Sequence, residues 1–190
     1  MSLRLSREEA WDLLTEWVQS ESLRRHCLAV ETAMRAYAER FGEDGELWSV
    51  VGLLHDMDYE RHPDLETGHP RMAIAELERR DVDPVIVRAI ASHADFMGVP
   101  RESRMEKTLA AVDELSGFLL ACAAVRPEGL TGLSAKSVKK KLKQSSFAAA
   151  VNRDEVRRGA EELGVDFDEH VEFVARALEA RADELLPAAA

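Results

Sequence analysis

Apolar residues recur at three- and four-residue intervals along nearly the whole chain, and no run alternates with the two-residue period of a half-buried strand. The pattern predicts an all-α protein. Ser6 with Glu9 forms a capping box ahead of a first helix that carries Trp11, Leu14 and Val18 and ends near Ser20. A second helix, about Ser22 to Arg40, puts Leu23, His26, Val30, Met34 and Tyr37 on one stripe, which turns His26 inward; Gly42 stops it. A third, Asp44 to His55, gives way to a polar loop at His55 and Asp56. Pro70 and Pro84 mark the starts of a fourth helix reaching about Arg80 and a short fifth reaching His93. A long sixth runs from about Glu102 to Val125, and further helices fall near Ala135 to Lys143, Arg153 to Leu163 and Phe167 to Leu186. The last two open on capping boxes, Asn152 with Glu155 and Asp166 with Glu169. The Pro127 to Ser134 loop is the boundary expected between a core with its N-terminal helix, residues 1–126, and a helical extension, 127–190, packed on the same domain. The tail Pro187 to Ala190 is expected to fray.

Composition narrows the function classes. A chain of 190 residues suits one domain with a sizeable core. Its 36 acidic residues exceed its 25 basic ones, for a net charge of −11, which argues against general nucleic-acid binding. Small phosphorylated ligands stay open, because bound cations can reverse the field inside a pocket. Cys27 and Cys122 both sit in apolar helical patterns and read as core residues, with no disulfide framework or thiolate zinc site. The start, MSLRLSREEAWDLL, lacks the layout of a secretory signal, and the apolar stretch around Phe118 to Val125 is far shorter than the ~20 residues of a spanning helix. No membrane partner and a cytoplasmic location are expected.

The candidate chemistry lies in six residues at helix ends or on inner helix faces: His26, His55, Asp56, His69, His93 and Asp113. Asp113 falls mid-helix among Leu109, Val112, Leu115 and Leu119, where a carboxylate needs a cation or several donors. Imidazole and carboxylate donors without thiolates suit one or two divalent ions, with Fe, Mn, Zn, Co, Ni and Mg all open. Spacing alone does not make this a site, since an inward histidine is often a hydrogen-bonded core residue.

More specific is the order His26, then His55-Asp56 in VVGLLHDMDYE, then Asp113 in AAVDELSG, on successive helices. This order resembles the HD-domain superfamily of metal-dependent phosphohydrolases over about Leu23 to Leu120. The resemblance implies a five-helix core in which His26, His55, Asp56 and Asp113 hold a first metal. His69 and His93 fall where the dinuclear branches place ligands of a second, with Asp56 bridging. The HDIG subgroup has Gly where Asp58 stands, deoxynucleotidase-like members have an acid where Tyr59 stands, and no GYP motif occurs. The single-metal deoxynucleotidase mechanism and the cyclic-di-GMP phosphodiesterase branch are therefore not supported.

The implied reaction is hydrolysis of a phosphoester or phosphoanhydride of a small, nucleotide-like substrate by a metal-activated hydroxide. No Gly-rich phosphate loop suggests kinase or NTPase chemistry. Asp58 and Asp95 are the catalytic candidates: they could orient metal ligands, shuttle a proton, or be plain loop acids. Arg25, Lys136, Lys139, Lys140 and Lys143 could bind the anionic substrate, although the lysines also read as a solvated face. His62 reads as a loop residue and His170 as a surface or packing position. A mixed-valence di-iron oxygenase on the same ligand set is the alternative, and a non-catalytic sensing or scaffold domain a third. Oligomeric state stays open.

Overall fold

The chain winds around helix α2 (Glu21–Phe41), which begins at the Ser20 N-cap and ends where Gly42 takes a left-handed conformation, φ 71°. Its buried side chains, Cys27 to Met34 together with Tyr37 and Ala38, occupy more than one face, because α3 (Gly45–Leu54), α6 (Arg104–Ala124) and α9 (Phe167–Glu179) all pack against it. Residues 3–186 are described in this computed structural model, and the tail Pro187 to Ala190 lies outside them. The order is completed by α1 (Arg7–Trp17), α4 (Arg71–Arg79), α5 (Pro84–His93), a 3-10 turn at Asp95–Met97, α7 (Ala135–Leu142), α8 (Arg153–Leu163) and α10 (Ala182–Leu185). The fold is all-α; β-type pairing among the described residues is one isolated bridge between Leu3 and Val82. Cys27 and Cys122 are buried free thiols. Among the described residues no helix is long and apolar enough to cross a membrane.

Helix starts follow the capping chemistry of the sequence. Ser6 and Glu9 form the reciprocal capping box, and Ser103 with Glu106 forms another at the head of α6. The expected final helix differs: it breaks at Ala180 and Arg181. At the break, Arg181 turns back so that its guanidinium donates to Glu31 at 3.1 Å and Thr32 at 3.0 Å. Glu31 is only 2% exposed and is also gripped by Arg7 at 2.7 Å. A buried carboxylate without cations costs more than one interrupted helical turn, so the pairing sets the chain path. His170 is fully buried: Tyr37 Oη lies 2.6 Å from its Nδ1, and its Nε2 donates to the Ala111 carbonyl at 3.0 Å. Burial pushes this imidazole down to about 4, the neutral form that such a bridge between α2, α9 and α6 requires.

Two glycines let backbones meet around the future site. A Cβ at Gly52 would lie 2.7 Å from Glu31 Cα, so α3 lies directly on α2. A Cβ at Gly159 would lie 2.6 Å from Ala111 Cα, bringing α8 onto α6 two residues before Asp113. Because backbone atoms cannot swing aside, Gly52→Ala is expected to lose about 2 kcal/mol despite the better helix propensity of Ala, lowering the thermal midpoint by about 4–8 °C. A melting curve indistinguishable from wild type would show that the α2–α3 approach is looser than this.

Candidate metal centre

Two helix ends aim two of the histidines. His55 follows the last residue of α3, and its Nδ1 donates to the Gly52 carbonyl at 2.8 Å; His93 closes α5, and its Nδ1 donates to the Ile90 carbonyl at 2.5 Å. In each case a carbonyl three residues back, left without a helical partner, fixes the tautomer. A carbonyl can only accept, so the proton sits on Nδ1 and the Nε2 lone pair points away. His69, in the loop before α4, reaches the same state differently: its Nδ1 donates to Asp58 Oδ1 at 2.8 Å. Three imidazoles thus turn Nε2 inward as the atom free to ligate.

Those atoms converge on carboxylates. His26 from α2 and Asp113 from α6 meet at 3.0 Å, His55 Nε2 lies 3.3 Å from Asp113 Oδ1, and the His26 and His55 Nε2 atoms are 3.2 Å apart. Asp56 is divided between two groups. Its Oδ2 lies 3.6 Å from His26 and 3.5 Å from His55, while its Oδ1 lies 3.5 Å from His69 and 3.6 Å from His93. Two donor sets result, His26, His55, Asp56 and Asp113 in one and Asp56, His69 and His93 in the other. Metal–donor bonds of about 2.1 Å give donor–donor edges of about 3.0 Å at right angles and about 3.4 Å at tetrahedral angles, so the spacing suits divalent cations.

The charges agree with this fit. Burial alone would push the His55 imidazole down, but Asp56 and Asp113 outweigh it and hold it up at about 10. Burial likewise opposes ionisation of Asp56 and Asp113, yet the neighbouring imidazoles, His55 foremost, keep both carboxyls below their ordinary range. A cluster of acceptors facing one another needs positive charge, and without a metal it takes a proton on His55.

The centre floors a cavity of about 400 Å³, whose wall includes Tyr59, Leu65, Phe96, Glu114, Val151 and Glu155. Glu114 is pushed up to about 7 by burial and by the adjacent Asp113 charge, and burial raises Glu155 as well. No lysine or arginine lines this cavity among the described residues.

An HD-domain family profile matches residues 23–117, half of the chain. The chain belongs to the HD-domain family. That family falls in the superfamily of metal-dependent phosphohydrolases, and the donor sets above are able to hold divalent ions. Ribonuclease Y of Rhodopirellula baltica is 34% identical over 76 residues, which cover 40% of this chain; the chain spans only 15% of the length of that protein. No solved structure matches significantly.

Within this HD domain the structure brings all six expected ligands together and distributes the other expected residues differently. Asp58 is fully buried, with Oδ1 on His69 and Oδ2 accepting from the Ala73 N–H at 2.8 Å. Of its expected roles it fills the orienting one; a proton shuttle needs an open oxygen facing the cavity. Asp95 lines the cavity, but its carboxylate is held by Arg101 and Arg158 and does not touch the His93 ring, so it too is no free acid or base. Lys136, Lys139, Lys140 and Lys143, expected to bind substrate, are not brought to the metal-centre cavity. Helix α7 buries Ala135, Val138 and Leu142 against α9 and α6, its lysines lie outside the cavity wall, and Lys139 pairs with Asp168 at 2.6 Å. Arg25 is also off the wall, one residue round the helix from His26 and paired with Glu21 at 2.8 Å. His62 is absent from the wall and lies beside Trp17, its ring tilted 54° to the indole at 6.2 Å. Residues missed in the sequence are Glu114, whose only signal was adjacency to Asp113, and Glu155, which reads as a capping residue of α8 and whose side chain does accept from Asn152 Nδ2 at 2.6 Å.

Proton and metal compete for the same lone pair, with a clear sign. The His55 proton, held to about pH 10 by Asp56 and Asp113, must leave when an ion binds, so affinity falls as pH falls. Calorimetric Mn2+ titrations at pH 6–8 are expected to show release of about one proton per first ion and roughly tenfold tighter binding per pH unit. A pH-independent affinity with no proton release would contradict the assignment.

Proposed function

We propose that this HD domain is a phosphohydrolase that cleaves a phosphoester or phosphoanhydride of a small phosphorylated substrate and uses two divalent ions. The observation that carries the reading is the division of the Asp56 carboxylate, one oxygen toward His26 and His55 and the other toward His69 and His93, on the floor of an open cavity. His26, His55, Asp56 and Asp113 would hold one ion, and Asp56, His69 and His93 the other. When bound, such ions supply charge that neutralises a phosphate and acidity that ionises a water near neutral pH.

The protein's own groups set the rest. Asp58 holds His69 in the tautomer that leaves Nε2 free, and the Gly52 and Ile90 carbonyls do the same for His55 and His93. Among the described residues no lysine or arginine lines the cavity wall, so bound cations are the natural counter-charge for a phosphate there, which supports metal dependence. Tyr59, Leu65 and Phe96, each about half exposed at the rim, offer apolar surface to the organic part of the substrate. The Glu114 and Glu155 wall and the net charge of −11 favour a small ligand over a long polyanion such as the RNA named for the relative.

The test is turnover of p-nitrophenyl phosphate, bis(p-nitrophenyl) phosphate and nucleoside monophosphates by metal-stripped protein reloaded with Mn2+, Co2+, Zn2+ or Fe2+. Metal-dependent release is expected under anaerobic conditions, falling at least about 10³-fold in Asp56→Asn. Lys139→Gln and Lys140→Gln, away from the cavity, should retain kcat/KM within about twofold. Turnover that requires iron and consumes dioxygen would overturn the hydrolase reading in favour of an oxygenase, and no turnover of any substrate with any metal would overturn catalysis by this route.

A further inference from the structure

Arg101 sits in the loop between the 3-10 turn and α6, with its side chain only 12% exposed. All three guanidinium nitrogens are engaged. Nε donates to the Ser92 carbonyl at 2.9 Å, Nη2 donates to the His93 carbonyl at 3.0 Å and to Asp95, and Nη1 donates to Glu162 at 2.9 Å. Ser92 and His93 are the last two residues of α5, so the two carbonyls are among those a helix end leaves without partners. A cation placed there satisfies them and opposes the negative end of the helix dipole. The Ile90 carbonyl, one turn back, takes the His93 ring proton. Arg101 and the ring thus share the closure of α5: the ring holds one carbonyl, the guanidinium holds two, and the backbone that carries the imidazole is clamped between them. Through Asp95 and Glu162 the same guanidinium ties this helix end to the cavity rim and to α8.

We infer that Arg101 is a positioning residue for the second ion: it fixes the backbone of His93 so that Nε2 meets Asp56 Oδ1. This rests on the two-ion reading above. His93 belongs only to the set formed with Asp56 and His69, and the hydrogen bonds of Arg101 go to the end of α5, to Asp95 and to Glu162 of α8, none of them to His26, His55 or Asp113 of the other set. Its loss therefore acts on one ion and spares the other. Arg158 is the natural control, because it pairs with the same Asp95 and Glu162 and makes no bond to the carbonyls of α5.

The experiment is Mn2+ titration of the full metal-stripped chain by calorimetry, with bound metal counted by mass spectrometry and folding checked by far-UV circular dichroism. Wild type is expected to take two ions. In Arg101→Ala the weaker event should lose at least about tenfold in affinity while the tighter one stays within about threefold, and Arg158→Gln should match wild type. Arg101→Lys keeps the charge but not the fork, so it should recover only part of the loss; should Arg101→Ala fail to fold, this variant alone decides. Equal weakening of both events, an unchanged second event, or full recovery by lysine would overturn the inference while leaving the two-ion reading intact. A single ion in wild type would overturn that reading itself.

Discussion

The structure depends on one electrostatic constraint: imidazole lone pairs and carboxylate oxygens face one another at 3.0–3.6 Å in a largely buried pocket, and nothing in the chain separates them. Such a cluster is unfavourable unless positive charge lies among its members. Among the described residues no lysine or arginine lines the cavity to supply that charge. A proton on His55, held by the two carboxylates, supplies part of it, and a divalent ion satisfies the same demand with more charge and more directed bonds.

Much of the surrounding fold serves to hold that arrangement in place. Gly52 lets α3 lie on α2, which brings the His55-Asp56 corner to His26; the same residue's carbonyl orients the His55 ring. Gly159 lets α8 close on α6, and the Tyr37–His170–Ala111 bridge pins α6 near Asp113. The Glu31 clamp, with Arg7 and Arg181, draws the first and last helices onto the middle of α2, a turn and more beyond His26. Packing at contacts this close leaves little room for the ligands to drift.

Whatever depended on local period and residue type was legible in the sequence. Apolar spacing placed the helices to within a few residues, and the resemblance carried by LLHD and AAVDELSG named the six residues that the structure brings together. Features that depend on tertiary direction were not legible. Lys139 and its neighbours form a basic face at helical spacing, but the sequence does not say that this face turns from the cavity once Val138 and Leu142 are buried. The final helix carried no breaker at Ala180; it bends because a buried carboxylate more than a hundred residues earlier needs Arg181. Asp58 was visible as an acid beside the site, yet only its two occupied oxygens distinguish an orienting group from a proton carrier.

The central claim, that a shared carboxylate joins two cation sites, is tested most directly by anomalous diffraction from crystals of the Mn2+-loaded protein recorded above and below the manganese edge. Two peaks are predicted, one amid His26, His55, Asp56 and Asp113 and one amid Asp56, His69 and His93. Difference maps without a peak among these residues, or with one peak that Asp56 does not touch, would contradict it.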